Sequence, residues 1–87
     1  MISSTQIRAA RALLGIDQRR LSELAGLSLP TIQRMEASTG VNVRGHIDSL
    51  TKVVDALEQA GVEIIAEGAA SPTGGRGVRL REVPADA

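Results

Sequence analysis

The sequence predicts a mainly α fold in which four helices precede a C-terminal β-hairpin. Apolar residues recur at helical spacing in four segments before residue 61, and glycines and capping residues separate these segments. Two β-prone stretches then follow, VEIIAE and GVRLREV, on either side of a segment rich in turn residues. We therefore expect a helical domain over residues 1–61, a hairpin over residues 62–83 and a disordered, frayed tail over residues 84–87.

The first two helices carry clear start and stop signals. Ser3 and Gln6 form a capping box at the start of helix 1, and Gly15 supplies the left-handed residue that ends it. Asp17 is the expected N-cap of helix 2, which Gly26 closes. The expected buried positions are Ile7, Ala10, Leu13 and Leu14 in helix 1, and Leu21, Leu24 and Ala25 in helix 2.

The third and fourth helices are expected on either side of a loop with the sequence ASTGVNVRG. Ser28 begins helix 3, which covers about residues 29–37, and Pro30 is tolerated because the first turn requires no intrahelical N–H. Helix 4 runs from about His46 to Gly61. The inward positions are Ile32 and Met35 in helix 3, and Ile47, Leu50, Val53, Val54 and Leu57 in helix 4.

Alternation of apolar and charged residues predicts how the two strands pair. Val62 and Ile64 share one face with Val78 and Leu80, while Glu63 and Glu67 share the other face with Arg79 and Arg81. Opposite charges across the strands support a hairpin.

Composition excludes several classes of function. The chain has no cysteine and one histidine, so disulfides, cysteine-ligated zinc and a His-rich metal site are excluded, and we expect no metal and no cofactor. It has no Phe, Tyr or Trp, which argues against single-strand binding by base stacking. No apolar run is long enough to span a membrane, and Arg8 and Arg11 interrupt the N-terminal segment, so we expect no secretory signal and a cytoplasmic location.

Charge is distributed unevenly although the formal net charge is zero. Residues 1–46 hold six arginines against three acidic residues, whereas residues 47–87 hold four basic residues against seven acidic ones. Such asymmetry suggests that the N-terminal half presents a face to an anion. The alternative is that the uneven distribution of charge arose by chance.

The segment from Gln18 to Met35 resembles the helix-turn-helix of the Cro/C1-type repressors, the XRE family. The resemblance rests on Gln18 at the start of helix 2, on Gly26 in the turn, and on the apolar residues Leu21, Ala25, Leu27, Ile32 and Met35. It covers roughly residues 3–60. Ser22 stands where the family usually has alanine, and Leu29 and Pro30 stand at positions that are usually polar.

The resemblance implies roles for individual residues. Arg11 and Glu36 match a structural ion pair of the family, and helix 3 is expected in the major groove of double-stranded DNA. Direct contact with bases is expected of Thr31, Gln33 and Arg34, and Leu29 is expected to press on a thymine methyl group. The full set of expected DNA-contacting residues is Gln18, Arg19, Ser28, Leu29, Thr31, Gln33, Arg34, Asn42 and Arg44.

Two function classes follow, and an enzyme is not expected because no nucleophile–base arrangement or carboxylate pair stands out. The first is a homodimeric transcriptional regulator that binds an inverted-repeat operator. The second is an antitoxin-like protein-binding module that neutralises a partner protein. For the regulator we expect dimerisation through the hairpin, because an isolated two-stranded hairpin is marginally stable and leaves edges that pair with another chain. The expected dimer contacts are Val62, Ile64, Ile65, Val78 and Leu80.

Overall fold

Four helices are followed by a two-stranded antiparallel hairpin in the computed structural model, as the sequence predicts. The structure describes residues 2–37, 47–66, 68–69 and 73–81. The helices are α1 (Ser4–Leu14), α2 (Gln18–Ala25), α3 (Leu29–Ala37) and α4 (Ile47–Gln59), and the strands are β1 (Val62–Ile65) and β2 (Gly77–Leu80). The expected tail over residues 84–87 lies outside the described residues.

The predicted helix ends are confirmed by their hydrogen bonds. The Ser3 hydroxyl accepts from the Gln6 N–H at 3.2 Å, and the Gln6 carboxamide oxygen accepts from the Ser3 N–H at 2.9 Å. Asp17 accepts from the N–H of Arg20 at 2.7 Å. Gly15 adopts a left-handed conformation at the end of α1, with φ of 69°, which a side chain would disfavour.

The hairpin has the register that the alternation predicts. Val62 pairs with Leu80, Glu63 with Arg79 and Ile64 with Val78. Arg79 donates to the Glu63 carboxylate, so the expected cross-strand ion pair is present. The other expected charge on that face, Glu67, lies outside the described residues.

A single aliphatic core joins the helices to the hairpin, because β1 packs on α1 and α4 while β2 packs on α1. Half-buried Ile64 and Val78 extend this core on the hairpin side. The buried apolar residues are Ile2, Ile7, Ala10, Leu21, Ala25, Ile32, Met35, Leu50, Val53, Ala56, Leu57 and Val62. Val62 is therefore fully enclosed within the chain, so the dimer contact expected of it is wrong: it has no surface to offer a partner.

Three leucine or isoleucine residues expected inside are exposed. Leu13 and Leu24 each lie at the border of their helix's apolar stripe, and on α2 the opposite border, at Ser22, is the one that is buried. Ile47 is 75% exposed and is the first residue of α4, before the buried positions Leu50 and Val53. Within the described ranges, no helix has the length and apolar character that crossing a membrane requires.

Candidate nucleic-acid interface

A tight glycine turn sets the geometry of α2 and α3. Gly26 ends α2 in a left-handed conformation with φ of 68°, and its N–H donates to the carbonyl of Glu23. The next N–H, that of Leu27, donates to the carbonyl of Ser22 at 3.0 Å. This pattern satisfies the last carbonyls of α2 and reverses the chain within a few residues. The next helix, α3, therefore begins close to the end of α2.

The two faces of α3 differ sharply in burial. Ile32, Met35 and Glu36 are buried against the other helices. Gln33 and Arg34 are exposed on the other side. The helix thus presents polar side chains to solvent from a backbone that its inner face anchors in the core.

A buried ion pair fixes α3 to the body of the domain. Arg11 Nε donates to Glu36 Oε2 at 2.7 Å, and Arg11 Nη2 donates to Glu36 Oε1 at the same distance. The Glu36 side chain is 3% exposed and the Arg11 side chain is 20% exposed. The hydrogen bonds that Arg11 donates to Glu36, together with the negative charge of that carboxylate, raise the pKa of Arg11 above its usual value, against the lowering effect of burial. The Arg11–Glu36 pair expected from the sequence is therefore present as a bidentate ion pair.

Two further contacts extend this pair to the start of α2. Arg11 Nη1 donates to the carbonyl of Ile16 at 3.2 Å, in the connection between α1 and α2. Gln18 Nε2 donates to Glu36 Oε1 at 3.1 Å. One carboxylate therefore holds together α1, α2 and α3, and it fixes the position of α3 relative to the N-terminus of α2. Nothing in the spacing of the sequence indicates the bond from Gln18 to Glu36.

A row of side chains one turn apart runs along the exposed side of α3. The hydroxyl groups of Ser28 and Thr31 lie 2.8 Å apart, and the Ser28 hydroxyl also accepts from the Thr31 N–H at 3.2 Å. Arg34 Nη2 donates to the Thr31 hydroxyl at 3.4 Å. Ser28 thus caps α3, and Thr31 connects that cap to the Arg34 guanidinium. Leu29 lies half-buried beside this row.

Of the remaining residues expected to contact DNA, the structure describes Gln18 and Arg19 at the start of α2. Arg19 is exposed in the first turn of α2, next to Gln18. Gln18 uses one amide hydrogen on Glu36 and retains a second that can be donated elsewhere. Asn42 and Arg44 lie outside the described residues.

The arrangement is a helix, a glycine turn and a second helix that is anchored on one face and polar on the other. Residues 7–43 match the family model described as helix-turn-helix, of the Cro/C1 type known as the XRE family. This stretch of the chain is therefore similar to a Cro/C1-type helix-turn-helix. No curated protein matches it.

This helix-turn-helix supports a DNA-binding regulator of transcription as the general class of function. Such a domain is a regulatory module and is not typically catalytic. Across the described ranges, no three His, Cys, Asp or Glu side chains gather where they could hold a metal ion.

Proposed function

We propose that the protein is a sequence-specific regulator of transcription that binds an inverted-repeat operator as a homodimer. The observation that carries the proposal is the anchored α3 with Gln33 and Arg34 on its exposed side. A helix of nine residues is about 13 Å long, and the major groove of B-DNA is about 12 Å wide. In each half-site α3 lies in the major groove and the Arg11–Glu36 pair keeps it in a fixed orientation.

Base readout comes from the row of side chains on α3. Arginine forms two hydrogen bonds with guanine, and glutamine does the same with adenine. Arg34 and Gln33 therefore supply the main discrimination between bases, with Thr31 next to them. Leu29 contributes an apolar contact suited to a thymine methyl group.

Phosphate contacts come from the start of α2. Helix N-termini favour anions because their first N–H groups are unsatisfied and the helix dipole is positive there. Arg19 adds an exposed positive charge, and the second amide hydrogen of Gln18 is available for a phosphate oxygen. Asn42 and Arg44 are proposed to follow the DNA backbone from the segment before α4.

Random-oligonucleotide selection with the purified full chain tests the proposal. The expected product is an inverted repeat of double-stranded DNA whose half-sites are centred about one helical turn, ~34 Å, apart. The Arg34→Ala variant serves as a matched control and should select a motif that is degenerate at one base pair in each half. Selection of no motif, or of single-stranded sequences, would overturn the proposal.

A further inference from the structure

The outer edge of β2 carries unpaired backbone groups. The Arg81 N–H donates to the Gly61 carbonyl at 2.7 Å, which marks that pair as one that exchanges hydrogen bonds. The pattern repeats every second residue, so Glu63–Arg79 and Ile65–Gly77 are also such pairs. The N–H and C=O groups of Val78 and Leu80 therefore turn away from β1. Among the described residues, no backbone group bonds to them.

The surroundings of this edge are open, with apolar side chains on one face of the strand. A groove of about 410 Å³ lies between β2 and the first two turns of α1. Val78 lines the groove, together with Ser3, Thr5, Gln6, Ala9, Arg76 and Gly77. Leu80 is 49% exposed although it shares the core-facing side of the hairpin with Val78. An exposed strand edge with apolar residues on one face is a template for pairing with another strand.

We propose that β2 pairs antiparallel with β2 of a second copy of this chain, across a twofold axis at Arg79. The two hairpins then form one four-stranded sheet. In this register Val78 of each copy lies opposite Leu80 of the other, and all four free N–H groups and all four free C=O groups at the two edges are used. The inference rests on the homodimer of the proposed function and specifies its interface.

The apolar residues of β2 are complementary to one another in this register. Val78 and Leu80 lie on one face of the strand, so the twofold axis brings two Val78–Leu80 pairs together. An axis at Val78 would instead place Leu80 opposite the charged Arg76, and this match would be lost.

On the opposite face of the proposed sheet two arginines meet, and each is already paired with a glutamate of its own hairpin. The axis places Arg79 of one copy opposite Arg79 of the other. Each Arg79 already donates to the Glu63 carboxylate of its own hairpin, through Nε at 2.9 Å and through Nη2. A row of alternating charge, Glu–Arg–Arg–Glu, would therefore cross the sheet instead of an isolated pair of cations.

Single-cysteine cross-linking tests this register, because the chain contains no cysteine. Directly opposed positions that exchange no hydrogen bonds have Cα atoms about 4.5 Å apart, which suits a disulfide. Arg79→Cys should therefore form a disulfide-linked dimer under mild oxidation, without DNA. Leu80→Cys is the matched control, since the two positions 80 are then roughly 8–9 Å apart, too far for a disulfide. Rapid cross-linking of Leu80→Cys, or none in Arg79→Cys, overturns the proposal.

A charge on the apolar face provides an independent check. Leu80→Glu should weaken dimerisation about tenfold or more, because it places a carboxylate in both Val78–Leu80 pairs of the dimer. Ile47→Ser, at an exposed apolar residue on α4, should leave dimerisation unchanged. If Ile47→Ser dissociates the dimer, or Leu80→Glu leaves it intact, the edge of β2 is not the interface. Neither experiment involves DNA, so each can fail while the DNA-selection result stands, and the reverse also holds.

Discussion

Replacing Arg11 with methionine would remove the cation from a nearly buried carboxylate. Glu36 accepts two hydrogen bonds of 2.7 Å from the Arg11 guanidinium and one of 3.1 Å from Gln18. In Arg11→Met only the bond from the neutral Gln18 carboxamide remains, and the methionine is too apolar to solvate the charge. Breaking a buried pair by removing one partner typically costs about 3–5 kcal/mol. Because the Arg11 side chain is 20% exposed, we expect a loss of stability in the lower part of that range, about 3 kcal/mol.

The hairpin supplies a matched control for this experiment. Arg79 also pairs with a glutamate, but its side chain is 68% exposed and that of Glu63 is 41% exposed. Exposed ion pairs contribute about 0–1 kcal/mol, so Arg79→Met should cost at most about 1 kcal/mol. Comparing the stability lost in Arg11→Met and in Arg79→Met thus separates the effect of burying the ion pair from the effect of losing an arginine.

Urea unfolding at a fixed protein concentration measures these differences in the free energy of unfolding. A double variant, Arg11→Met with Glu36→Leu, replaces both charges by apolar groups and should be more stable than Arg11→Met alone. The reasoning is refuted if Arg11→Met loses no more stability than Arg79→Met. It is also refuted if the double variant is no more stable than Arg11→Met, since the unpaired carboxylate would then not be the cause.

Two other changes test how the hairpin and the core are held. Gln6→Ala should cost about 1–3 kcal/mol, because Gln6 Nε2 donates to the carbonyls of Ile65 at 2.9 Å and Gly77 at 3.0 Å. Hydrogen exchange of the β2 amides should accelerate in that variant, and unchanged exchange would mean that Gln6 does not hold the hairpin. Leu57→Ala should cost about 2–5 kcal/mol because Leu57 is fully buried, whereas exposed Leu13→Ala should cost less than about 1 kcal/mol. Equal midpoints in thermal unfolding would contradict that contrast.

The parts of the fold that the sequence predicts are those set by local chemistry. Ser3 and Asp17 cap helices through hydrogen bonds three residues away, and Gly15 and Gly26 end helices through their own backbone conformation. The hairpin register follows from the alternation of side chains, because a slip of one residue would expose the apolar face. These signals act over a few residues and can be read without knowing the rest of the structure.

The parts that the sequence does not predict depend on contacts between distant residues. Gln6 bonds to hairpin residues 59 and 71 positions away, whereas the local sequence indicates only its role in the capping box. Gln18 turns toward Glu36 because the fold brings the start of α2 beside the inner face of α3. Ile47 is another example. Helical periodicity indicates which residues of α4 share an apolar face, but it does not indicate at which residue that face begins to pack against the core.

The most direct test of the account compares wild type and Arg34→Ala on the selected operator and on operators substituted at each base pair. If α3 reads the groove, Arg34→Ala should lose about 1–3 kcal/mol of specific binding and become indifferent to one base pair in each half-site. Arg19→Ala, by comparison, should weaken binding to all sequences about equally and reduce the salt dependence. Identical base preferences and affinities for wild type and Arg34→Ala would contradict the central claim that the exposed side of α3 recognises DNA.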